Sequence, residues 1–262
     1  MVATRVLFVH GLWIHARAWD PWLDLFRSAG YEAEAPGWPG DGETVTQTRQ
    51  QPQRVAGYGV REITDHFTRI AGLGEPPIVI GHSFGGLVAQ KLLASGLARA
   101  AVAIDPAPIK GVKALPFSQV WSALPVLYRK ANRDRAVMLS RRQFRYAFGN
   151  ALSREESDQL YDRWAIPGPG RPIFDLTSAK KDPASPVAVD LDDRNRGPLL
   201  IIGGGRDHTI PEVVARQAAG LYRPGGNTEY RKLDDRGHSL VFDSGWRDVA
   251  EPVLDWVRTR TA

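Results

Sequence analysis

The chain of 262 residues is 43% hydrophobic, so it can bury the core of one enzyme-sized domain. It has no cysteine, which excludes disulfides, thiolate metal sites and a cysteine nucleophile. Its net charge of +5 is not accompanied by a nucleic-acid-binding motif, and we expect no nucleic-acid partner.

Apolar runs typical of strands alternate along the chain with amphipathic helical patterns. This alternation predicts an α/β fold with a mostly parallel sheet flanked by helices. We predict strands over 4–9, 31–35, 77–81, 100–104, 198–203 and 228–233. We predict helices over 20–29, 57–72, 84–95, 211–221 and 245–259.

The segment 106–197 interrupts this alternation. It contains many prolines, no strand pattern, and helical patterns near 117–130, 132–149 and 153–164. A structureless loop of this length would be implausible in a compact domain. We therefore predict a helical cap, or lid, over 106–197, inserted after the strand that ends near Asp105. The core would then consist of 1–105 and 198–262.

The most informative motif is Gly-His-Ser-Phe-Gly at residues 81–85, between the strand at 77–81 and the following helix. A sharp strand-to-helix turn of this kind exposes the central hydroxyl above the carboxyl end of the sheet. The N-terminal N–H groups of the helix point to the same place, where a reacting acyl group would develop negative charge. The motif identifies Ser83 as a candidate nucleophile.

A nucleophilic serine needs a base, and the base needs an acid that orients it. Asp207 follows the strand at 198–203, and His238 lies in the loop after the strand at 228–233. The order serine, aspartate, histidine brings all three to one edge of a parallel sheet, where open α/β folds bind ligands. Ser83, Asp207 and His238 are therefore the predicted catalytic residues, and this chemistry needs neither a metal nor a cofactor.

With these residues in place, the chain resembles the α/β-hydrolase family over nearly its whole length. The likeness begins at His10-Gly11-Leu12-Trp13 after the first strand and includes a Pro-Gly-rich loop at 36–42. It is nearest to serine-nucleophile members with a helical cap, such as bacterial esterases and lipases. The resemblance implies an oxyanion hole formed by the backbone N–H groups of Leu12 and Phe84, with Trp13 as an alternative to Leu12.

Asp105 is an alternative acid, because some members of this family place the acid after the strand that follows the serine helix. We favour Asp207, whose loop has the more usual position in the chain, and Asp105 then becomes a structural acid at the entrance to the cap. Two neighbouring histidines have other expected roles. His82 is expected to pack, and His10 to brace the oxyanion loop by hydrogen bonding.

The expected substrate is a small-molecule hydrophobic ester or lactone. Aromatic side chains of the cap, together with one near the oxyanion loop, could line an apolar pocket, and the candidates are Trp13, Trp121, Phe144 and Trp164. We predict a serine hydrolase that cleaves a carboxylic ester through an acyl-enzyme. The alternatives are lactonase, C–C bond hydrolase or hydroxynitrile-lyase-like activity on the same triad, and, more remotely, a non-catalytic ligand-binding protein.

Membrane and targeting segments are not indicated. No stretch approaches the roughly 20 apolar residues that span a bilayer, so we expect no integral membrane segment. The chain enters a strand almost at once, without room for a secretory leader, and we expect a cytoplasmic protein. Basic residues are concentrated between Lys110 and Arg145, which we interpret as a solvated helical face. The sequence does not indicate an oligomeric state.

Overall fold

The computed structural model describes residues 3–191, 196–223 and 227–261. The strands are β1 (Arg5–Val9), β2 (Glu32–Glu34), β3 (Ile78–His82), β4 (Ala100–Ile104), β5 (Ala136–Val137), β6 (Gly168–Pro169), β7 (Leu199–Gly204) and β8 (Thr228–Leu233). Six of them form one sheet in the order β2-β1-β3-β4-β7-β8. Each pair of neighbours in that sheet is parallel, as predicted.

The helices are α1 (Asp20–Ser28), α2 (Val45–Gln50), α3 (Val60–Ala71), α4 (Phe84–Ala94), α5 (Phe117–Leu127), α6 (Arg141–Ala147), α7 (Arg154–Trp164), α8 (Arg171–Ser178), α9 (Glu212–Leu221) and α10 (Trp246–Thr261). Short 3₁₀ helices occur at Ala16–Trp19, Pro52–Val55 and Lys130–Asp134. None of the described helices combines the length and the apolar composition that crossing a membrane requires.

The centre of the core is the sheet itself. Strands β3, β4 and β7 are buried at every position, which explains their continuous apolar sequences: helices cover both of their faces. An aromatic cluster packs against β1, where the ring of Phe8 lies 5.0 Å from that of Trp19 and 5.2 Å from that of Phe26. Burial of these side chains fixes the strand register and therefore the position of each strand end.

The predicted strands and the helices of the sheet unit are confirmed, but the segment 106–197 differs from its prediction in three ways. The helix expected over 132–149 is wrong, because the chain instead forms a 3₁₀ turn, then β5, and then a shorter helix whose start Ser140 caps. The segment also contains a two-residue antiparallel pair, β5 with β6, and an additional helix, α8. Pro172 lies in the first turn of α8, where a missing N–H is tolerated.

Several hydrogen bonds join the segment 106–197 to the sheet unit. The guanidinium of Arg49 donates to the carbonyl oxygens of Ala165 and Tyr161, each at 2.8 Å. The backbone N–H of Val60 donates to a carboxylate oxygen of Asp175 at 2.9 Å. Residues 192–195, at the end of the predicted cap, lie outside the described residues. The division into core and cap stays a prediction.

Candidate active site

The turn between β3 and α4 holds Ser83 in a strained conformation, with φ of 56° and ψ of −122°. Such a backbone is costly for a non-glycine residue and is retained where the surrounding structure enforces it. Close packing explains the flanking glycines: a Cβ on Gly81 would lie 2.0 Å from the carbonyl oxygen of Gly85, and one on Gly85 would lie 2.0 Å from that of Val9. The two glycines therefore allow the close backbone contacts of the sharp turn that carries Ser83.

His238 and Asp207 form a buried pair on the loops that follow β8 and β7. The His238 Nδ1–H donates to Asp207 Oδ2 at 2.5 Å, and neither side chain is exposed. The other carboxylate oxygen of Asp207 accepts from the backbone N–H groups of Thr209 at 2.7 Å and Ile210 at 2.8 Å. These contacts fix the carboxylate and, through it, the orientation of the imidazole ring.

Burial lowers the pKa of His238 to about 3, so the ring is neutral at neutral pH. Its ring lies 4.5 Å from that of His82 and 4.9 Å from that of Phe148. His238 Nε2 is buried and has no hydrogen-bond partner among the described residues, so the structure does not join it to Ser83 Oγ. A neutral imidazole with a free Nε2 can accept a proton.

Asp105 lies beside this pair, at the end of β4. Its backbone φ is 40°, and its Oδ1 accepts a 2.5 Å hydrogen bond from the backbone N–H of Gly204. Its Oδ2 is 4.0 Å from His238 Nδ1, farther than the oxygen of Asp207. Burial and the adjacent Asp207 carboxylate raise the pKa of Asp105 well above its ordinary value. Its surroundings therefore favour the protonated form of Asp105.

Burial also raises the pKa of Asp207, but the backbone N–H groups of Ile210 and Thr209, which donate hydrogen bonds to its carboxylate, favour its anionic form. The structure thus brings both candidate acids to one histidine with different roles. Asp207 Oδ2 contacts His238 Nδ1 at 2.5 Å, whereas Asp105 Oδ2 lies 4.0 Å from the same nitrogen.

The loop after β1 places Leu12 and Trp13 next to the serine turn. A Cβ on Gly11 would lie 2.7 Å from the Cβ of Ser83, so this loop passes directly against the nucleophile turn. Within the described part of the chain, no backbone hydrogen bond uses the N–H of Leu12 or of Phe84. Two unpaired donors are thus available at this position, as an oxyanion hole requires.

His10 connects this loop to the Pro-Gly-rich loop at 36–42. The backbone N–H of Trp38 donates to His10 Nε2, and the Trp38 indole donates to the His10 carbonyl oxygen, each at 3.1 Å. The two rings are stacked with centroids 5.1 Å apart. These contacts confirm the bracing expected of His10. The expected packing of His82 also fits: burial and the nearby His238 lower its pKa well below its ordinary value, so it is uncharged.

The segment 106–197 makes several hydrogen bonds to the loop that follows β1. The backbone N–H of Ile166 donates to the carbonyl oxygen of Trp13 at 2.9 Å, and the Trp13 indole donates to the carbonyl oxygen of Val137 at 3.0 Å. Ile14 and Ala165 form an antiparallel bridge. Trp13 has a φ of 70°, which is unfavourable for its side chain, and these contacts explain how the conformation is maintained.

The four proposed pocket residues separate into three groups. Trp13 and Phe144 are buried near the site, and both contact Phe148. The Phe144 and Phe148 rings are stacked with centroids 4.9 Å apart, and the Trp13 and Phe148 rings meet edge to face at 6.5 Å. Trp164 lines a different cleft, of about 430 Å³, together with Leu160 and Phe242.

Trp121 lies apart from the other three proposed pocket residues. It is 51% exposed on the outer side of α5, whereas that helix buries Gln119, Ser122 and Val126. The structure therefore does not bring Trp121 into the buried site. Sequence reasoning missed Phe148 as a site residue. Its spacing of four from Phe144 was an available signal, because residues so spaced share one side of a helix.

One group of described residues has the composition of a metal site. His82, Asp105 and His238 each offer one ligand atom, and these atoms lie within 4.8 Å of one another. This group includes His238, which also pairs with Asp207, and two side chains that lie beside that pair. A Ser-His-Asp reaction needs no metal. The sequence-based expectation of a metal-free site stays a prediction.

Comparison with known proteins is consistent with this geometry. A family model described as the Alpha/beta hydrolase family matches residues 6–251. No curated protein matches the chain in sequence.

Among solved structures, a methylesterase from Arabidopsis has 16% identity and a TM-score of 0.66, covering 98% of this chain and 100% of its own. A monoacylglycerol lipase from Paleococcus ferrophilus has 22% identity and a TM-score of 0.65, with coverages of 98% and 96%. An extracellular alpha/beta-hydrolase from a Paenibacillus species has 19% identity and a TM-score of 0.67, with coverages of 96% and 98%. At these identities the likeness extends to the fold alone.

Proposed function

Because the chain belongs to the alpha/beta hydrolase family, we propose that it is a serine hydrolase that cleaves a carboxylic ester of a small to medium hydrophobic substrate. The supporting observation is the combination of a strained Ser83 on the turn after β3 with the buried His238–Asp207 pair. A serine hydroxyl is a weak nucleophile on its own, and an adjacent neutral imidazole activates it.

In the proposed reaction, Ser83 Oγ attacks the ester carbonyl carbon as its proton passes to His238 Nε2. The carbonyl electron pair moves to the oxygen, which accepts hydrogen bonds from the N–H groups of Leu12 and Phe84. The intermediate then collapses, and the leaving alcohol oxygen takes the proton from His238. Water attacks the resulting acyl-enzyme by the same route, releases the carboxylic acid and restores Ser83.

Asp207 is the acid of this proposal. It accepts the Nδ1–H of His238, which keeps Nε2 free as the proton acceptor, and its charge stabilises the imidazolium that forms during the reaction. Asp105, as a neutral carboxylic acid, acts on Asp207 and not on substrate.

The segment 106–197 is the proposed lid. Ser83 is only 3% exposed and His238 is fully buried, so a substrate needs an opening that the closed arrangement does not offer. Phe148, from this segment, packs against the His238 ring, and Phe144 packs behind it. Apolar side chains at this position favour a hydrophobic acyl or alcohol group.

The test combines an active-site label with a substrate panel. A fluorophosphonate probe should modify Ser83 and no other serine, as located by mass spectrometry of the labelled peptide. p-Nitrophenyl esters of increasing acyl length, assayed beside lactones, should be hydrolysed with a preference for medium apolar chains. Labelling of Ser83 with turnover of lactones alone would replace the ester proposal, and a protein that neither labels nor turns over would favour a ligand-binding role.

A further inference from the structure

Exposed large hydrophobic side chains are concentrated in one short stretch around α5. Among the described residues, six of the seven such side chains lie here, and the seventh, Leu73, lies elsewhere. They are between 37% and 76% exposed, and we call them the outer α5 face: Leu115, Phe117, Val120, Trp121, Leu124 and Tyr128. Single exposed apolar residues are common on proteins, but a cluster indicates an interaction surface.

Helix α5 buries Val126 but leaves most of its large apolar side chains on its outer side. An amphipathic helix normally turns its apolar side inward. Here the inward positions include Gln119 and Ser122, and the Ser122 hydroxyl donates to the carbonyl oxygen of His208 at 3.3 Å. The aromatic rings of Phe117 and Trp121 stack on each other at 6.0 Å on the outer side. The outer apolar side chains of the helix are therefore only partly covered by the described chain.

The charge around the outer α5 face is predominantly positive. Residues 106–135 contain six basic residues and one acidic residue, Asp134. Lys113, Arg129, Lys130 and Arg133 are exposed. The guanidinium of Arg129 lies over the ring of Tyr128, 5.2 Å from its centroid, so cationic and aromatic groups share one surface. An apolar centre with a basic rim is complementary to a surface that is apolar below and anionic above.

We propose that the outer α5 face docks on an anionic phospholipid surface. Its aromatic and leucine side chains would enter the boundary between headgroups and acyl chains, while the lysine and arginine side chains contact lipid phosphates. Tryptophan and tyrosine are suited to this boundary because each combines an apolar ring with a polar group. In this proposal the basic stretch, expected from the sequence to be a solvated face, is also part of the binding surface.

A second copy of the chain is a less suitable occupant. In a two-fold dimer the same patch lies on both subunits, so the basic rims around both α5 helices would face each other. Like charges opposed in this way destabilise an interface. The proposal does not depend on ester hydrolysis, and its test measures binding alone.

The first test is co-sedimentation of the whole protein with vesicles. Vesicles of phosphatidylcholine mixed with phosphatidylglycerol should sediment the protein, pure phosphatidylcholine should bind it much more weakly, and high salt should weaken binding to the mixed vesicles. This comparison needs no variant. Failure of the mixed vesicles to bind, or equal binding to both compositions, would overturn the proposal.

Variants then locate the surface. Phe117→Ser and Trp121→Ser should each lower the partition coefficient by about tenfold or more, because each removes a large buried ring from the lipid-bound state. Leu73→Ser is the matched control, since it removes an equally exposed apolar side chain before β3, and it should bind as the native protein does. Circular dichroism and thermal melting verify that each variant is folded.

Two double variants, each reversing two charges, test the basic residues at the edge of the outer α5 face. Lys113→Glu with Lys130→Glu should weaken binding by about tenfold or more. Arg69→Glu with Arg99→Glu changes the net charge equally at exposed positions outside the patch, and it should leave most of the binding intact. Equal losses in both pairs would contradict a local surface. If light scattering finds a dimer that Trp121→Ser dissociates, while vesicles do not bind, the occupant is a second copy and the lipid proposal fails.

Discussion

The strand-end loops and the segment 106–197 meet at the same histidine, but they contribute different kinds of contact. The loops after β7 and β8 supply the buried hydrogen bond between Asp207 and His238, at 2.5 Å. The segment 106–197 supplies the ring of Phe148 against His238 and the hydrogen bond from Ile166 to the Trp13 carbonyl. The candidate reacting groups thus lie on loops of the sheet, whereas the inserted segment supplies apolar contact and hydrogen bonds to a neighbouring loop.

Mutations in the two regions should therefore affect catalysis in different ways. Polar groups at the strand ends should control the chemical step, because their charges and protons take part in it. Side chains of the inserted segment should act through position and through substrate fit. The following predictions test that division, beginning with the largest effect.

Ser83→Ala should lower kcat by about 10⁶-fold while the protein stays folded, since the triad acts as a unit and loses its nucleophile. The measurement is steady-state hydrolysis of the best p-nitrophenyl ester. Ser95→Ala, a change at an exposed serine at the end of α4, is the control and should retain full activity. A Ser83→Ala variant that keeps most of its rate would falsify the nucleophile assignment.

Asp207→Asn should lower kcat by about 10⁴-fold, because the amide removes the charge that supports the imidazolium and can favour the wrong tautomer. Asp105→Asn should cost less than about tenfold, since a neutral amide resembles the protonated carboxyl group in shape and charge. The two variants are compared at equal folding, verified by circular dichroism. A larger loss for Asp105→Asn would exchange the roles of the two acids.

Trp13→Phe should lower kcat about tenfold with little change in KM. The variant loses the indole hydrogen bond to Val137 and loosens the loop that carries the Leu12 N–H, which stabilises the transition state more than the bound ester. Trp256→Phe is the control. Trp256 lies on α10, and its indole N–H donates a comparable hydrogen bond to the Glu229 carboxylate on β8. An increase in KM alone would assign Trp13 to substrate binding.

The acid limb of kcat/KM should have its midpoint below pH 6.5. His238 acts as a base only when neutral, and burial lowers its pKa, so protonation and loss of activity require a more acidic solution than for a free histidine. The profile is measured with a substrate that does not titrate in this range. A midpoint above pH 6.5 would mean that the imidazolium is stabilised in the free enzyme, against the effect of burial.

Vesicle binding separates the two regions in another way. The outer α5 face belongs to the inserted segment and is exposed, whereas the triad is buried. Phe117→Ser should therefore weaken lipid binding and leave hydrolysis of a soluble ester unchanged. Ser83→Ala should do the reverse.

Much of the sheet side of the site could be predicted from the sequence, because local patterns determine it. The apolar run of β3, the glycines that close packing demands, and the helical pattern of α4 together require a sharp turn with Ser83 at its apex. Parallel strands place their carboxyl ends at one edge, so the residues after β7 and β8 had to lie near that serine.

The distances of the two candidate acids from the one histidine could be obtained only from the tertiary structure. Asp105 and Asp207 both follow strands whose ends point to the same edge, and sequence gives no distance between side chains. The structure places Asp207 Oδ2 at 2.5 Å and Asp105 Oδ2 at 4.0 Å from His238 Nδ1. That difference of 1.5 Å depends on the positive φ of Asp105 and on its hydrogen bond with Gly204, neither of which has a sequence signal.

The inserted segment was the least predictable part, for a physical reason. Short helices cannot form a core alone, so the side each one buries depends on what it packs against and not on its own periodicity. Local sequence patterns were thus sufficient to predict the fold, the turn that carries Ser83 and the positions of the candidate base and acid along the chain. Packing against the sheet turned Phe148 toward His238 and Trp121 toward solvent, because contacts between distant residues set those orientations.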